Sequence, residues 1–150
     1  MRKLLPVIFL FLGLGGGGGA AMVFFPAEGL PDKDAAMEAS SGPSEFVKFN
    51  NQFVVPVVHK GRVDSLVVLS ISLEVTQGAS TSVYDAEPKL RDLLLQELFN
   101  HANHGGFTGM FTSANQMDQL RKSLQDVATT VLGVDLRGVL ITDIARQDGS

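Results

Sequence analysis

Hydrophobic and polar positions divide the chain into three parts. Residues 4–25 carry no charge, and twelve of these 22 residues are Leu, Ile, Val or Phe. Residues 26–44 contain three prolines and alternating charges but no hydrophobic period, which predicts an extended linker. From residue 45 onward, apolar positions recur with the periods of strands and helices, which predicts a folded domain over residues 45–150.

The uncharged run 4–25 predicts a single membrane-spanning helix. At about 1.5 Å per residue it would be roughly 33 Å long, which matches a hydrocarbon core of about 30 Å. Arg2 and Lys3 precede the run, whereas acidic residues dominate the stretch after it. Because Lys and Arg beside a membrane segment stay in the cytoplasm, residues 1–3 are expected inside and everything after residue 25 is expected to be exported.

A block of glycines interrupts this run, since six of the seven residues 13–19 are Gly. Two pairs, Gly13 with Gly17 and Gly15 with Gly19, have the small-xxx-small spacing that lets two membrane helices approach closely. This spacing predicts helix packing between copies.

A cleavable signal peptide is the alternative interpretation of the same stretch. Arg2 and Lys3 would form its basic region, residues 4–14 its apolar region, and Gly19-Ala20-Ala21 its small-residue cleavage site. The run stays apolar through Phe25, beyond the expected cut, which favours the anchor.

The domain is predicted to begin with strands. Residues 46–49 and 53–58 are rich in β-branched and aromatic side chains. Pro56 cannot donate to a sheet ladder, so its strand should lie at an edge or carry a bulge, and His59-Lys60-Gly61-Arg62 predicts a hairpin connection. Residues 69–76 alternate strictly, with one buried side formed by Leu69, Ile71, Leu73 and Val75.

Two helices are predicted next. Asp85 is the expected N-cap of the first, which should end near Asn103-His104-Gly105-Gly106, and Ser113 is the expected N-cap of the second. Their predicted apolar stripes contain Leu90, Leu93, Leu94 and Leu98 in the first helix and Met117, Leu120, Leu124, Val127 and Val131 in the second.

The chain then returns to a strand over residues 134–145, after Gly133 ends the second helix. Apolar residues lie on both sides of this strand, which predicts a place in the middle of the sheet. The predicted fold is therefore an α+β domain, an antiparallel or mixed sheet with the two helices on one face.

Composition and motifs predict no catalytic, cofactor or metal site. The sequence has no cysteine, and its net charge of −4 argues against nucleic acid as a partner. It contains neither a Gly-x-Ser-x-Gly elbow nor a phosphate loop. His101 and His104 are three residues apart, but two imidazoles without a third ligand make a poor metal site. We therefore expect an interaction domain without a small-molecule substrate.

The glycine-rich connection between the helices holds Phe107, Met110 and Phe111. Exposed, these apolar side chains could dock on a neighbouring protein, and buried, they would fold under the helices. The sequence leaves both arrangements open, so Phe107 and Phe111 are candidate interaction residues.

Five motifs follow one another along the folded part of the chain. They are Phe46-Val47-Lys48-Phe49, Phe53-Val54-Val55, the strand 67–75, Pro88-x-Leu90-Arg91-Asp92-x-Leu94-Leu95, and Val139-Leu140-x-Thr142-Asp143-Ile144-x-x-Gln147. Preceded by a short basic start, one membrane helix and an acidic linker, this order resembles the flagellar basal body-associated protein family FliL.

The resemblance implies a non-enzymatic protein of the bacterial inner membrane, with its domain in the periplasm and a fold similar to that of stomatin and prohibitin. Such domains assemble side by side into rings around the stator units of the flagellar motor and support torque and motility. The implied partners are further copies of the chain, the stator proteins and the membrane.

Ring formation needs a surface on which one copy meets the next. We hypothesise that copies meet through the strand containing Phe53 and Pro56 and through the helix surface near Arg91, Asp92 and Arg121. Charge reversal at Arg91 is then expected to reduce assembly without unfolding the domain.

Overall fold

One long strand dominates the computed structural model, which describes residues 42–149. This strand, β3, spans 15 residues and has a partner along each edge. The elements in chain order are β1 (Ser44–Lys48), β2 (Phe53–His59), β3 (Arg62–Thr76), α1 (Ser80–Asp85), α2 (Glu87–Asn103), α3 (Ala114–Leu132), a 3-10 turn (Gly133–Asp135) and β4 (Leu136–Asp148).

The sheet is antiparallel and three strands wide. β4 pairs with β3 from Ser65 to Val75 and so occupies one edge of it. β2 pairs with the first part of β3 and β1 with its last part, and because a strand has only two edges, both lie on the other side. β1 and β2 therefore follow one another along one edge, separated by the irregular residues 49–52.

The alternation predicted for β3 is confirmed. Leu69, Ile71, Leu73 and Val75 are all fully buried. They belong to one hydrophobic cluster that also contains residues of both long helices. The helices cover this face of the sheet, and the predicted α+β class is confirmed.

The hairpin and edge predictions for β2 are also confirmed. Lys60 and Gly61 have φ values of 50° and 75°, the left-handed values that a two-residue turn of type I′ requires. Pro56 lies in the outer strand opposite Leu66, and the register shifts between Val57 and Val58. An edge position and a bulge each allow a proline in a sheet, and β2 has both.

The two long helices bury rows of residues four apart. The buried rows differ slightly from the predicted stripes. Four predicted residues are only partly buried, namely Leu93, Met117, Val127 and Val131, and small alanines lie in the core instead. The buried residues are Leu90, Leu94, Leu98 and Ala102 in α2 and Leu120, Leu124, Ala128 and Leu132 in α3.

The predicted end of α2 is confirmed in detail. Gly105 has φ of 78°, its N–H donates to the carbonyl of Ala102, and the N–H of Gly106 donates to the carbonyl of His101 at 2.9 Å. This pair of bonds is a Schellman motif, which closes the helix. Ser113 is the N-cap of α3, as predicted, although its side chain makes no capping hydrogen bond.

Two sequence predictions are wrong. Asp85 does not cap α2, because residues 80–85 form the short helix α1, and Ala86 is the N-cap instead. β4 is not in the middle of the sheet, since within residues 42–149 it pairs with β3 alone. The central place belongs to β3, whose length allows it to pair with three strands.

The two ends of the sheet are distinct. Gly42 and Pro43 lie beside the last residues of β3, where the N–H of Gln77 donates to the carbonyl of Pro43 at 3.2 Å and Arg137 donates to the carbonyl of Gly42. We call this the linker end. The β2–β3 turn marks the hairpin end, which lies about 45 Å away at roughly 3.3 Å per residue.

The predicted anchor over residues 4–25 and nearly all of the predicted linker 26–44 lie outside the described residues. Within the part that the structure does describe, no helix is both long and apolar enough to cross a membrane. Pro43 and Ser44 already pair with the end of β3, so the sheet begins slightly before residue 45.

Candidate interaction surfaces

The strand β2 presents two unlike sides. Phe53, Val55 and Val57 are buried in the core, whereas Val54 is 50% exposed and Pro56 is half-buried on the opposite side. Phe53 was a predicted interaction residue, and the structure places its ring inside the domain. If β2 meets another protein face to face, Val54 and Pro56 are the residues that can touch it.

These outward residues belong to a larger surface on which none of the described helices packs. We call it the open face. Phe46 at one end of it is 63% exposed, whereas Ser70 and Ser72 along its centre are buried, at 8% and 7% exposure. By strand register, the open face contains Phe46, Lys48, Val54, Pro56, Leu66, Val68, Ser70, Ser72, Glu74, Leu140 and Asp143.

Arg91 acts inside the domain. Its guanidinium lies 4.5 Å from the centre of the Phe53 ring and donates to the backbone carbonyls of Asn51 at 3.2 Å and Gln52 at 3.0 Å. Arg91 thus attaches α2 to the irregular residues between β1 and β2. Reversing its charge would act on the fold as well as on any contact between copies.

Asp92 and Arg121 lie on the surfaces of different helices. Asp92 is exposed on α2, whereas Arg121 is partly exposed on α3 and pairs with Asp118 one turn earlier. Helix α3 lies beside β4, where the side chain of Gln125 donates to the carbonyl of Arg137 at 3.4 Å. Arg91 lies at the β1–β2 edge, so Arg91 and Arg121 belong to helices that contact opposite edges of the sheet.

Phe107 and Phe111 fold under the helices, the second of the two predicted arrangements. Phe107 is 1% exposed, and Phe111 packs partly buried against the core. Of the three apolar side chains in this connection, only that of Met110 is largely exposed, at 83%.

His101 and His104 line a polar cleft of about 440 Å³ between α2 and α3, together with Glu97, Asn100, Gln119 and Ser123. Burial lowers the pKa of His101, and the backbone of Gly106 and the charge of Glu97 oppose this effect in part. Nδ1 of His104 lies 2.7 Å from the carbonyl oxygen of Asn100. Within residues 42–149, no three His, Cys, Asp or Glu side chains are placed to hold a metal ion.

A smaller cleft of about 260 Å³ lies at the hairpin end. Its lining mixes both signs of charge, with Asp64 beside Lys60 and Arg62. The N–H of Gly149 donates to the carbonyl of Asp64 at 2.7 Å, which joins the end of the described chain to the hairpin.

The predicted packing glycines Gly13, Gly15, Gly17 and Gly19 lie outside the described residues. For the domain, neither the exposure of Val54 in β2 nor the contacts of Arg146 in β4 were predicted from the sequence. A strict period of two applied to residues 53–57 would have found Val54, whereas the contact of Arg146 with residues 107–111 has no local signal in the sequence. A search of known protein families and of curated proteins finds no match to this chain.

Proposed function

We propose that this protein is a membrane-anchored, non-catalytic scaffold of the bacterial flagellar motor, which surrounds or adjoins the stator as a ring of copies. The motor assignment depends on the resemblance to FliL given by the order of its motifs. The same resemblance suggests the stomatin and prohibitin type of domain, the periplasmic side of the inner membrane and a role in swimming or swarming.

The structural observation that supports a scaffold is a sheet with two unlike open edges. Among the described residues, β1 and β2 form one edge and β4 forms the other. Unlike surfaces on opposite sides of one molecule allow head-to-tail contacts, which close into a ring when the rotation between copies permits it. Pro56 and the adjacent bulge restrict backbone pairing along β2, which would limit uncontrolled strand addition.

The position of Arg121 is compatible with head-to-tail contacts between copies. It lies on α3, on the β4 side of the domain, whereas Val54 and Pro56 lie on the β2 side. A head-to-tail contact would bring the β2 side of one copy against the α3 and β4 side of the next. Residues that are far apart within one copy would then be close between copies.

Swimming in the organism that encodes the protein tests the motor assignment. Deletion of the gene is expected to shrink the swimming zone in soft agar, and the full chain supplied in trans should restore it. A chain in which a cleavable leader replaces residues 1–25 is expected to fail, because the domain would leave the membrane. A deletion strain that swims and swarms like its parent would contradict the proposal.

The same strains separate the anchor from the signal-peptide alternative. An anchored protein keeps residue 1 or 2 as its N-terminus and needs detergent for extraction. A mature N-terminus near Met22, with release in the absence of detergent, would instead identify a periplasmic protein that is free of the membrane.

Self-association tests the surface on β2. Val54→Lys places a charge on the open face and is expected to reduce the mass of the detergent-solubilised assembly measured by light scattering. Val134→Lys is the matched control, because Val134 is 95% exposed at the linker end of the domain. Assembly of Val54→Lys with the mass of the parent would rule out the β2 surface as the contact.

A further inference from the structure

The connection between α2 and α3, residues 104–113, is fastened to the core by aromatic side chains. The buried ring of Phe107 meets the ring of His101 edge-on at 4.8 Å between centres and that of Phe111 at 6.4 Å. From β4, Arg146 donates to the carbonyl of Phe107 at 3.1 Å, and its guanidinium lies 5.2 Å from the centre of the Phe111 ring. These contacts hold the connection in one closed arrangement.

The connection packs against the side chain of His101 in α2. Gly106 approaches the imidazole so closely that a Cβ at this position would come within 2.2 Å of Nε2. The N–H of Gly106 also donates to the His101 carbonyl. The ring is therefore enclosed by Gly106 and Phe107 on the side of the connection, while the cleft between the helices leaves it partly accessible.

The charges around His101 are few. On α2, Glu97 precedes it by one turn, and His104, the first residue of the connection, follows it by one turn. On α3, the facing cleft residues Gln119 and Ser123 are uncharged. On β4, Arg146 contacts the connection and is itself paired with Asp148 at 2.9 Å, and residues 105–113 contain no ionisable side chain. One carboxylate thus faces the imidazole from these elements, while His104 and Arg146 can carry positive charge.

We propose that residues 104–113 form an acid-sensitive latch, in which protonation of His101 releases Phe107 and Phe111 from the core. A charged imidazole needs hydration that the closed connection withholds, and opening supplies it. Opening also exposes two aromatic side chains beside Met110, which creates an apolar surface. The latch does not depend on the motor assignment, so either proposal can fail without the other.

The direction of the pH effect follows from the environment of the ring. Burial holds the pKa of His101 in the closed form below its ordinary value. The closed form therefore has its full stability above an ordinary histidine pKa of about 6.5 and loses stability as the pH falls below that value. Acidification shifts the equilibrium toward the open form.

Hydrogen exchange of the full chain, followed by mass spectrometry at about pH 7.5 and about pH 5.5, tests the latch across the ordinary titration range of histidine. After correction for the intrinsic pH dependence of exchange, peptides from residues 104–113 are expected to lose protection at least about twofold more than peptides from β3. Equal changes in both regions would overturn the proposal.

Two matched variants identify the responsible group. His101→Gln removes the titration at the ring and is expected to abolish the extra loss of protection at low pH. His104→Gln, at the exposed C-cap position just after the same helix, should retain it. A pH response that survives in His101→Gln, or that disappears in His104→Gln, would contradict the latch.

A measurement on the unmodified protein tests the latch without depending on how well the variants fold. In a titration followed by nuclear magnetic resonance, His101 should protonate below the ordinary histidine pKa of about 6.5. Its protonation should coincide with a change in the Phe107 ring signals. Protonation of His101 at or above about pH 6.5 would overturn the proposal.

Discussion

The two faces of the sheet differ in burial, and the central strand β3 contributes side chains to both. On β3, Leu69 and Ile71 point toward the helices and are fully buried, whereas Leu66 points to the open face and is 37% exposed. Residue type alone does not separate them, since Leu66 and Leu69 are chemically identical. The comparison teaches that the covered face contributes most of the buried apolar core, whereas the open face leaves apolar side chains such as Leu66 accessible to water.

The strongest test of this comparison is a pair of identical substitutions. Leu69→Ala removes a fully buried side chain and leaves a cavity, so we expect a loss of about 2–5 kcal/mol in the free energy of unfolding. Leu66→Ala on the open face is expected to cost about 1 kcal/mol or less, because water already reaches this side chain. Urea denaturation of the two variants and the parent measures both values.

The ratio between the two losses in free energy of unfolding shows whether the open face is exposed in the folded protein. Similar losses would mean that the open face is covered in the folded protein under the conditions of the measurement. In that case, dilution of the protein should reduce the loss for Leu66→Ala if a second copy provides the cover. The loss for Leu69→Ala should be independent of concentration.

An intermediate effect is expected at the margin between the two faces, where Arg91 joins α2 to residues 51–52. Arg91→Ala removes two hydrogen bonds to backbone carbonyls and the contact with the Phe53 ring, so we expect a loss of about 1–2 kcal/mol. Arg121→Ala should cost no more than about 0.5 kcal/mol, because its ion pair with Asp118 is exposed and lies within one helix.

Thermal unfolding of both variants measures this difference. The reverse order, with Arg121→Ala the more damaging, would show that Arg91 does not fasten the β1–β2 connection. Assembly measured on the same samples then distinguishes a role of Arg91 in the stability of the domain from a role in contacts between copies. A variant that unfolds normally but assembles poorly reports on the surface between copies.

Local patterns were sufficient for most of the fold. The alternation of residues 69–76, the turn at Lys60-Gly61 and the glycines after α2 each determine their own conformation through short-range physics. The wrong position predicted for β4, unlike the local error at Asp85, depends on distant residues. Whether β4 lies inside or at the side of the sheet is decided by the pairing of β3 with β1 and β2, which β4 does not encode.

The candidate surfaces were less predictable for the same reason. Arg91 resembles any exposed helix arginine in sequence, and its role appears only when Asn51 and Gln52 come within reach of its guanidinium. Phe107 and Phe111 had two possible positions, and in the folded domain both contact Arg146, which is 39 residues beyond Phe107 in the chain. Long-range contacts of this kind leave no periodic signal.

The smallest expected effect concerns an acid on the covered face. Glu45 pairs with Val75 across β1 and β3, and the side-chain hydroxyl of Ser80 and the backbone N–H groups of Gly78 and Ser80 donate to its carboxylate at the start of α1. The first of these bonds has the largest influence, and together they hold the pKa of Glu45 below its ordinary value of 4.5.

A depressed carboxyl pKa in the folded state stabilises the protein above the ordinary value and loses that contribution as the pH falls through the folded-state pKa. Glu45→Gln should therefore unfold at a lower urea concentration than the parent near neutral pH, and the difference should shrink on acidification below about pH 4.5. Glu74→Gln, the same change on the open face, is the matched control and should unfold like the parent at neutral pH. A difference between Glu45→Gln and the parent that stays constant down to acidic pH would mean that packing at the start of α1, rather than the charge of Glu45, determines its contribution.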